Sequence, residues 1–210
     1  MSYPALLDLR RLRVLIVGGG AVALRKAEGV LEAGGRPAVI APEICTELRA
    51  VVEREGLRWE GRPYRVGDSR GYHLVFAATD RREVNRQVAD EAAESLALVN
   101  VADDPETSSF QVPATLRQGE VIVALATGGA SPLLARRLRE RLASVVTPGV
   151  GRAAARLREL RAELRARWPD DERRRRSLWF ELVTPEFLDC AVAGQDEEVE
   201  LRIARCLSQS

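Results

Sequence analysis

An α/β fold is predicted for this chain: an N-terminal parallel sheet with helices on both faces, then a small α+β element and an all-helical C-terminal part. Three patterns predict it. Short apolar runs alternate with segments of helical period through the first half, a hairpin pattern follows, and the last third repeats Ala and Leu among arginines at helical spacing.

In chain order, Val14–Val17 is an apolar strand and Val22–Ala33 a helix stopped by Gly34-Gly35. Arg36–Ala41 is a second strand, broken by Pro42; Cys45–Glu55 is helix and Leu57–Tyr64 a short strand. His73–Ala78 is a continuous apolar strand ending at Thr79-Asp80, Arg82–Ser95 is helix, and Ala97–Val101 is another buried strand. Phe110–Leu116 and Val121–Ala126 then read as an antiparallel pair around a turn at Arg117–Glu120. A glycine-rich turn, Thr127–Pro132, leads into a helix over Leu133–Val145, which Pro148-Gly149 breaks. Arg152–Trp168, Arg173–Val183 and Glu197–Leu207 continue as helix.

The bulk numbers set limits. A chain of 210 residues, 46% hydrophobic and 30% charged, has ample core for one large domain or one and a half ordinary ones. A formal net charge of +1 points to neither nucleic acid nor a membrane surface. No apolar run is long enough to span a bilayer, and the start MSYPALLDL lacks the basic-then-apolar layout of a secretion signal, so the cytoplasm is expected. Cys45, Cys190 and Cys206 are odd in number and far apart, which fits neither a disulfide framework nor a zinc knuckle; they read as small, mostly buried apolar residues. Lys26 stands alone as the one lysine, on the first turns of the helix after the glycines, where a phosphate or carboxylate contact is conceivable.

The first strand meets Gly18-Gly19-Gly20, and helix begins at once. In this G-x-G-x-x-A string Gly18 permits the tight turn, Gly20 lets backbone amides approach a pyrophosphate, and Ala23 allows helix and strand to pack closely. Strand–turn–helix context favours dinucleotide binding over a glycine-rich turn in some other α/β unit. Ligands of such sheets bind beyond the carboxyl ends of the strands, which here are Gly18–Gly20, Ala78–Asp80 and Asn100–Asp104. Asp103-Asp104-Pro105 is, on its residues alone, either a turn opener or the home of a catalytic carboxylate. Consecutive extended residues point opposite ways, so one of the two aspartates at most faces a ligand. The second strand ends at Ala41, where an acid usually holds the ribose hydroxyls; Glu43 is two residues further on, and Arg36 before the strand reads as a solvated charge.

Taken in order, VLIVGGGAVALRKA at 14–27, VIAPE at 39–43, AATDRREVN at 77–85, NVADDPETSSFQVPA at 100–114 and ALATGGASPLLARRLRE at 124–140 resemble the precorrin-2 dehydrogenase family. This family includes the dehydrogenase/ferrochelatase module of siroheme synthase. The arginine run before Trp179 completes a likeness that covers essentially the whole chain. Its most specific part is N-V-x-D followed by S-F-x-x-P and T-G-G-x-S-P.

The resemblance implies a Rossmann-like NAD-binding domain over 1–113, a dimerisation region of hairpin and helix over 114–147, and a helical tetrapyrrole-side domain over 148–210. It implies NAD-dependent oxidation of precorrin-2, an octacarboxylate tetrapyrrole, to sirohydrochlorin. Some members also insert Fe²⁺ into that product, with no preformed iron cage; no metal ligands are expected here. Asp103 matches the family's catalytic aspartate, the proton acceptor for either reaction. Gly18, Gly20, Ala21 and Val22 match the pyrophosphate turn, and Pro42 and Glu43 the adenosine-side contacts. Thr79 and Asp80 are expected at the nicotinamide ribose, or as a cap for the following helix. Thr127, Gly128, Gly129 and Ser131 are expected to receive a substrate carboxylate, unless they only start a helix; Thr127 replaces a serine that some members phosphorylate. A homodimer is implied, its need reinforced by the sheet edge that the hairpin leaves behind. The methyltransferase domain of fused siroheme synthases is not expected in a sequence that ends at Ser210.

Three side-chain groups read as structural. Arg173–Arg176 favours a solvated helix face over a carboxylate clamp, Trp179 and Phe180 favour the core, and His73 opens a strand. The contrasting function is a non-catalytic sensor that binds NAD or a tetrapyrrole on the same fold. A dehydrogenase of small hydroxy acids is disfavoured, because no catalytic histidine stands near a strand end.

Overall fold

The computed structural model describes residues 3–208, and the chain divides into two compact units, Met1–Val112 and Pro113–Ser210. The outermost residues of the expected first and last segments, 1–2 and 209–210, lie outside the described residues.

In the first unit five parallel strands, β1 (Val14–Val17), β2 (Pro37–Ile40), β3 (Trp59–Glu60), β4 (Leu74–Ala77) and β5 (Leu98–Val101), stand in the order β3-β2-β1-β4-β5. Helices α1 (Ala21–Glu32), α2 (Thr46–Glu55) and α3 (Arg82–Glu94) connect them. Side chains alternate across the strands, so two cores form. Val14, Ile16, Val39 and Phe76 pack with Ala23 and Ala27 of α1 and Leu48 of α2, whereas Leu15, Val17, Val75 and Val99 pack with Val88, Ala89 and Ala92 of α3. Each fully buried Leu, Ile or Val contributes about 1.5–3 kcal/mol of transfer free energy. Val17 is level with Ile40 and Ala77, and Ala77 with Val101. The next residues, Gly18, Ala41, Ala78 and Ala102, therefore line one edge, and the strand order reverses beside β1.

Two expectations change here. The third strand covers only Trp59–Glu60, because Gly61 and Pro63 end its ladder. The segment after it is held by side chains: Asp68 accepts from Arg62 at 2.6 and 2.8 Å and from the Arg65 N–H at 2.7 Å. Buried Glu91 of α3 accepts from the Gly67 N–H at 2.5 Å and from the Tyr64 hydroxyl. The β5 edge is also covered within its own unit, since the Val99 and Val101 N–H groups donate to the hydroxyls of Ser109 and Ser108, at 2.7 and 2.9 Å. A second copy of the chain is not needed to satisfy that edge.

The second unit opens with an antiparallel pair, β6 (Ala114–Gln118) and β7 (Val121–Leu125), joined by Gly119-Glu120, with Gly119 at φ +57°. The turn is thus two residues, and Arg117 and Gln118 belong to the strand. Helices α4 (Pro132–Leu142), α5 (Pro148–Arg167), α6 (Glu172–Leu182), α7 (Pro185–Ala193) and α8 (Asp196–Ser208) follow. Pro148 opens α5 rather than merely ending the helix before it, as a first-turn proline can. Helix α7 was not separately expected; its signals are Thr184, whose hydroxyl accepts from the Phe187 N–H at 3.4 Å, Pro185, and left-handed Gly194 at its end. Leu160, Leu164, Leu178, Phe187, Val199 and Ile203 form this unit's core. Trp179 packs against it, but Phe180 is 73% exposed, contrary to expectation, because it falls on the outer face of α6.

Candidate functional site

A cleft of about 790 Å³ opens at the carboxyl edge of the parallel sheet. It brings together Gly18, Gly20, Ala21, Val22, Pro42, Glu43, Thr79, Asp80 and Asp103, which is the whole expected cofactor set and the expected base.

The glycines divide the work. Gly18 has φ +133°, and a Cβ there would overlap the Ala78 carbonyl oxygen. Gly19, to which the sequence reading gave no role, is as constrained: a Cβ would overlap the Glu43 carbonyl, and the Gly19 oxygen accepts from the Cys45 N–H at 2.8 Å. Gly20 differs. Beyond its own chain neighbours, no atom lies within 4 Å of where its Cβ would stand. Gly20 is also the N-cap of α1, with no side-chain cap and no acidic residue in the first turn. The start of α1 thus presents unpaired N–H groups and partial positive charge to a space that a Cβ would enter, which fits a dinucleotide's pyrophosphate.

Around this turn, Glu43 is exposed at the cleft wall, while Arg58 and Arg62 are paired with carboxylates. Arg36 is less free than expected: its guanidinium donates to the Glu55 and Gly56 carbonyls at the end of α2. Thr79 does not cap α3. Arg81 holds that position, and its N–H donates to the Thr79 hydroxyl at 3.2 Å. Buried Asn85 then locks the loop, accepting from the Thr79 hydroxyl at 2.7 Å and N–H at 3.1 Å and donating to its carbonyl at 3.0 Å. Asn85 and Tyr64 both line the cleft and were not singled out from sequence. For Asn85 the signal was available: a polar residue on the helix face otherwise occupied by Val88, Ala89 and Ala92.

Asp103 and Asp104 follow β5 directly. Asp104 accepts from the Thr107 N–H at 3.1 Å and hydroxyl at 2.7 Å, and these bonds hold its carboxyl below the usual carboxylate range. Asp103 is exposed, takes a left-handed φ of +58°, and lines the cleft. Non-glycine residues adopt that conformation at a cost and cluster at functional sites when they do. Lys26 is half-buried, with its ammonium 5.3 Å from the Phe76 ring centroid. Burial, and to a lesser degree Arg25, push the ammonium's pKa down, and the Asp103 charge opposes them.

In the second unit Thr127 and Ser131 close one turn. The Thr127 hydroxyl accepts from the Ser131 N–H at 3.1 Å, and the Ser131 hydroxyl caps α4 by accepting from the Leu134 N–H at 3.1 Å. Gly128 and Gly129 have φ of +60° and +83°, with nothing within 4 Å of a notional Cβ. The arginine run is largely committed to its own corner. Arg174 stacks 4.4 Å from the Trp168 ring, Arg175 donates to the Trp168 and Pro169 carbonyls, and Arg176 lies 5.8 Å from the Phe180 ring. His73 is structural, its Nδ1 accepting from the Arg13 N–H at 2.9 Å. Of the cysteines, Cys190 is buried and Cys45 and Cys206 are half-buried. Among the described residues no group of three His, Cys, Asp or Glu side chains is placed to hold a metal ion, and no helix is long and apolar enough to cross a membrane.

Residues 5–114 match the family model described as "Putative NAD(P)-binding". A siroheme synthase of Chromobacterium violaceum is 41% identical over 96% of this chain and 44% of its own length. One from Thioalkalivibrio sulfidiphilus is 35% identical over 98% and 42%. The chain therefore spans less than half the length of these relatives. Among solved structures, "SirC, precorrin-2 dehydrogenase" superposes with a TM-score of 0.78 at 28% identity, over 95% of this chain and 99% of that one.

Proposed function

The chain belongs to the NAD(P)-binding family that its first half matches, and is a homologue of siroheme synthases over nearly all its described length; on that premise we propose that it oxidises precorrin-2 to sirohydrochlorin. One observation carries the reading: Asp103 lines the same cleft as the Gly18–Gly20 turn. The oxidation removes two electrons and two protons, as one hydride and one proton. A bound nicotinamide supplies the hydride acceptor. Ala21 and Val22 would hold the pyrophosphate on the open N–H groups of α1, and Pro42 and Glu43 would flank the adenosine side. Thr79, fixed by Asn85, and Asp80 beside it would orient the nicotinamide ribose, so that the two reactants meet in one geometry. Asp103 takes the proton from the ring and releases it to solvent, which its exposure permits. Fe²⁺ insertion into the product is the second reaction proposed; it needs the same acceptor for the pyrrole N–H protons, with the macrocycle supplying the ligands.

The cofactor is proposed to be NAD. Glu43 is the first acid after β2 in sequence, and Arg58 and Arg62 are occupied by Glu60 and Asp68 rather than free for a 2′-phosphate. In the second unit the open Gly128-Gly129 amides, with Thr127 and Ser131 shaping the turn, are proposed to meet a substrate carboxylate. Residues 114–147 are proposed as the dimerisation region, with 1–113 the NAD-binding and 148–210 the tetrapyrrole-side domain, in a cytoplasmic homodimer.

Anaerobic incubation with precorrin-2 and NAD⁺ tests the reading. Sirohydrochlorin absorbance with equimolar NADH is expected, and added Fe²⁺ then reports chelation. Absence of NADH at any cofactor concentration overturns the dehydrogenase assignment.

A further inference from the structure

We propose that Arg82 and Arg86 of α3 form a carboxylate-binding subsite beside Asp103, which takes one acidic side arm of the macrocycle; the proposal rests on the tetrapyrrole reading above. A separate cavity of about 370 Å³ stands next to the cofactor cleft. Arg82, Arg86, Asp103, Asp104 and Thr107 contribute to its wall. Arg82 and Arg86 are one helical turn apart and so share a face of α3. Both are exposed, and among the described residues neither is within 4.0 Å of a carboxylate oxygen. Concave placement, not charge alone, separates these two from Arg174, Arg175 and Arg176 of α6, which are committed to Trp168, Pro169 and Phe180.

The two acids in the wall do not cancel the site. Asp104 is engaged chiefly by the Thr107 N–H and hydroxyl, and the Arg86 charge adds only a lesser attraction without an ion-pair contact. Asp103 stands where the cavity and the cleft meet, since both are lined by Arg82, Asn85, Ala102 and Asp103. The start of α3 adds partial positive charge, part of it offset by Glu83 in the same turn. Guanidinium forks bind carboxylates bidentately and hold their plane, so an arm clamped there would leave its pyrrole ring at the Asp103 carboxylate. The subsite would thus orient the substrate against the base while the cofactor occupies the cleft.

Uroporphyrin, a stable octacarboxylate porphyrin, is the probe, titrated by fluorescence quenching into the full chain. Arg86→Gln is expected to weaken its binding about tenfold, and Arg82→Gln with Arg86→Gln further, with a shallower dependence on salt. Arg86→Lys should recover part of the loss, because it restores charge without the fork. Unchanged porphyrin affinity in the double variant, with wild type binding, overturns this subsite alone. Failure of the wild-type chain to bind the porphyrin overturns the tetrapyrrole reading and the subsite with it.

Discussion

Asp103 and Asp104 are adjacent in sequence and opposite in use: Thr107 donates two hydrogen bonds to Asp104, while Asp103 turns through φ +58° and lines the cleft. The same loop thereby separates a structural carboxylate from one left open to a substrate. Asp103→Asn preserves the shape and the tolerance of left-handed backbone but removes the proton acceptor, so turnover should fall by at least about a hundredfold with NAD⁺ affinity unchanged. Asp103→Gly should be equally inactive yet no less stable, because glycine relieves the positive φ. Steady-state kinetics and thermal melts on both variants check this. Full turnover by the asparagine variant would refute Asp103 as the base, and absence of turnover in the wild type as well would favour the sensor reading.

Gly19 and Gly20 should separate fold from ligand. Gly19→Ala drives a methyl into the Glu43 carbonyl, so the β1 and β2 loops must part; a stability loss of about 1–3 kcal/mol is expected, together with weaker cofactor binding. Gly20→Ala meets no protein atom. It should leave the melting temperature nearly unchanged and weaken NAD⁺ about tenfold or more, by occupying pyrophosphate space. Calorimetric titration and denaturant melts read the two effects apart.

The contrast shows which parts of the molecule the sequence encodes locally. Continuous apolar runs such as Val14–Val17 and Leu74–Ala77 announce buried parallel strands, and the glycine turn announces its ligand side. The role of Gly19 is set by a loop more than twenty residues away, so no local pattern contains it. Likewise the covering of β5 comes from hydroxyls of Ser108 and Ser109, which in sequence read only as part of a motif. The aspartates were separable in principle, since Asp104 followed by Thr107 is a side-chain turn spacing. The exposure of Phe180 was not, since it depends on which face of α6 meets the second core.

Acid should loosen the segment between β3 and β4. Its carboxylate, Asp68, is held below the usual range chiefly by its hydrogen bonds from Arg62. A depressed folded-state pKa gives stability that is present above the unfolded value, about 3.9, and disappears as pH falls through the folded value. Asp68→Asn should therefore melt several degrees below wild type at neutral pH, and the gap should close as the pH drops below about 4. A gap that is constant with pH would assign the loss to packing rather than to charge.

Helix α4 is the proposed seat of the dimer, on an energetic argument. Only Ala135 of its eleven residues is buried, while Leu133, Leu134 and Leu138 are 63%, 51% and 40% exposed. Leu134 and Leu138 stand four residues apart and therefore share a face, the spacing of an amphipathic helix that lacks a partner. Placing aspartates at both positions buries two charges without counter-ions in any interface built there, and costs a solvated surface almost nothing. The double variant should sediment as a folded monomer at concentrations where the wild type is a dimer, with cooperative thermal unfolding retained. If the wild type already sediments as a monomer at micromolar concentration, the leucines are surface residues and the dimer is gone; if both are dimers, the contact is made elsewhere, and β6 and β7 become the face to mutate next.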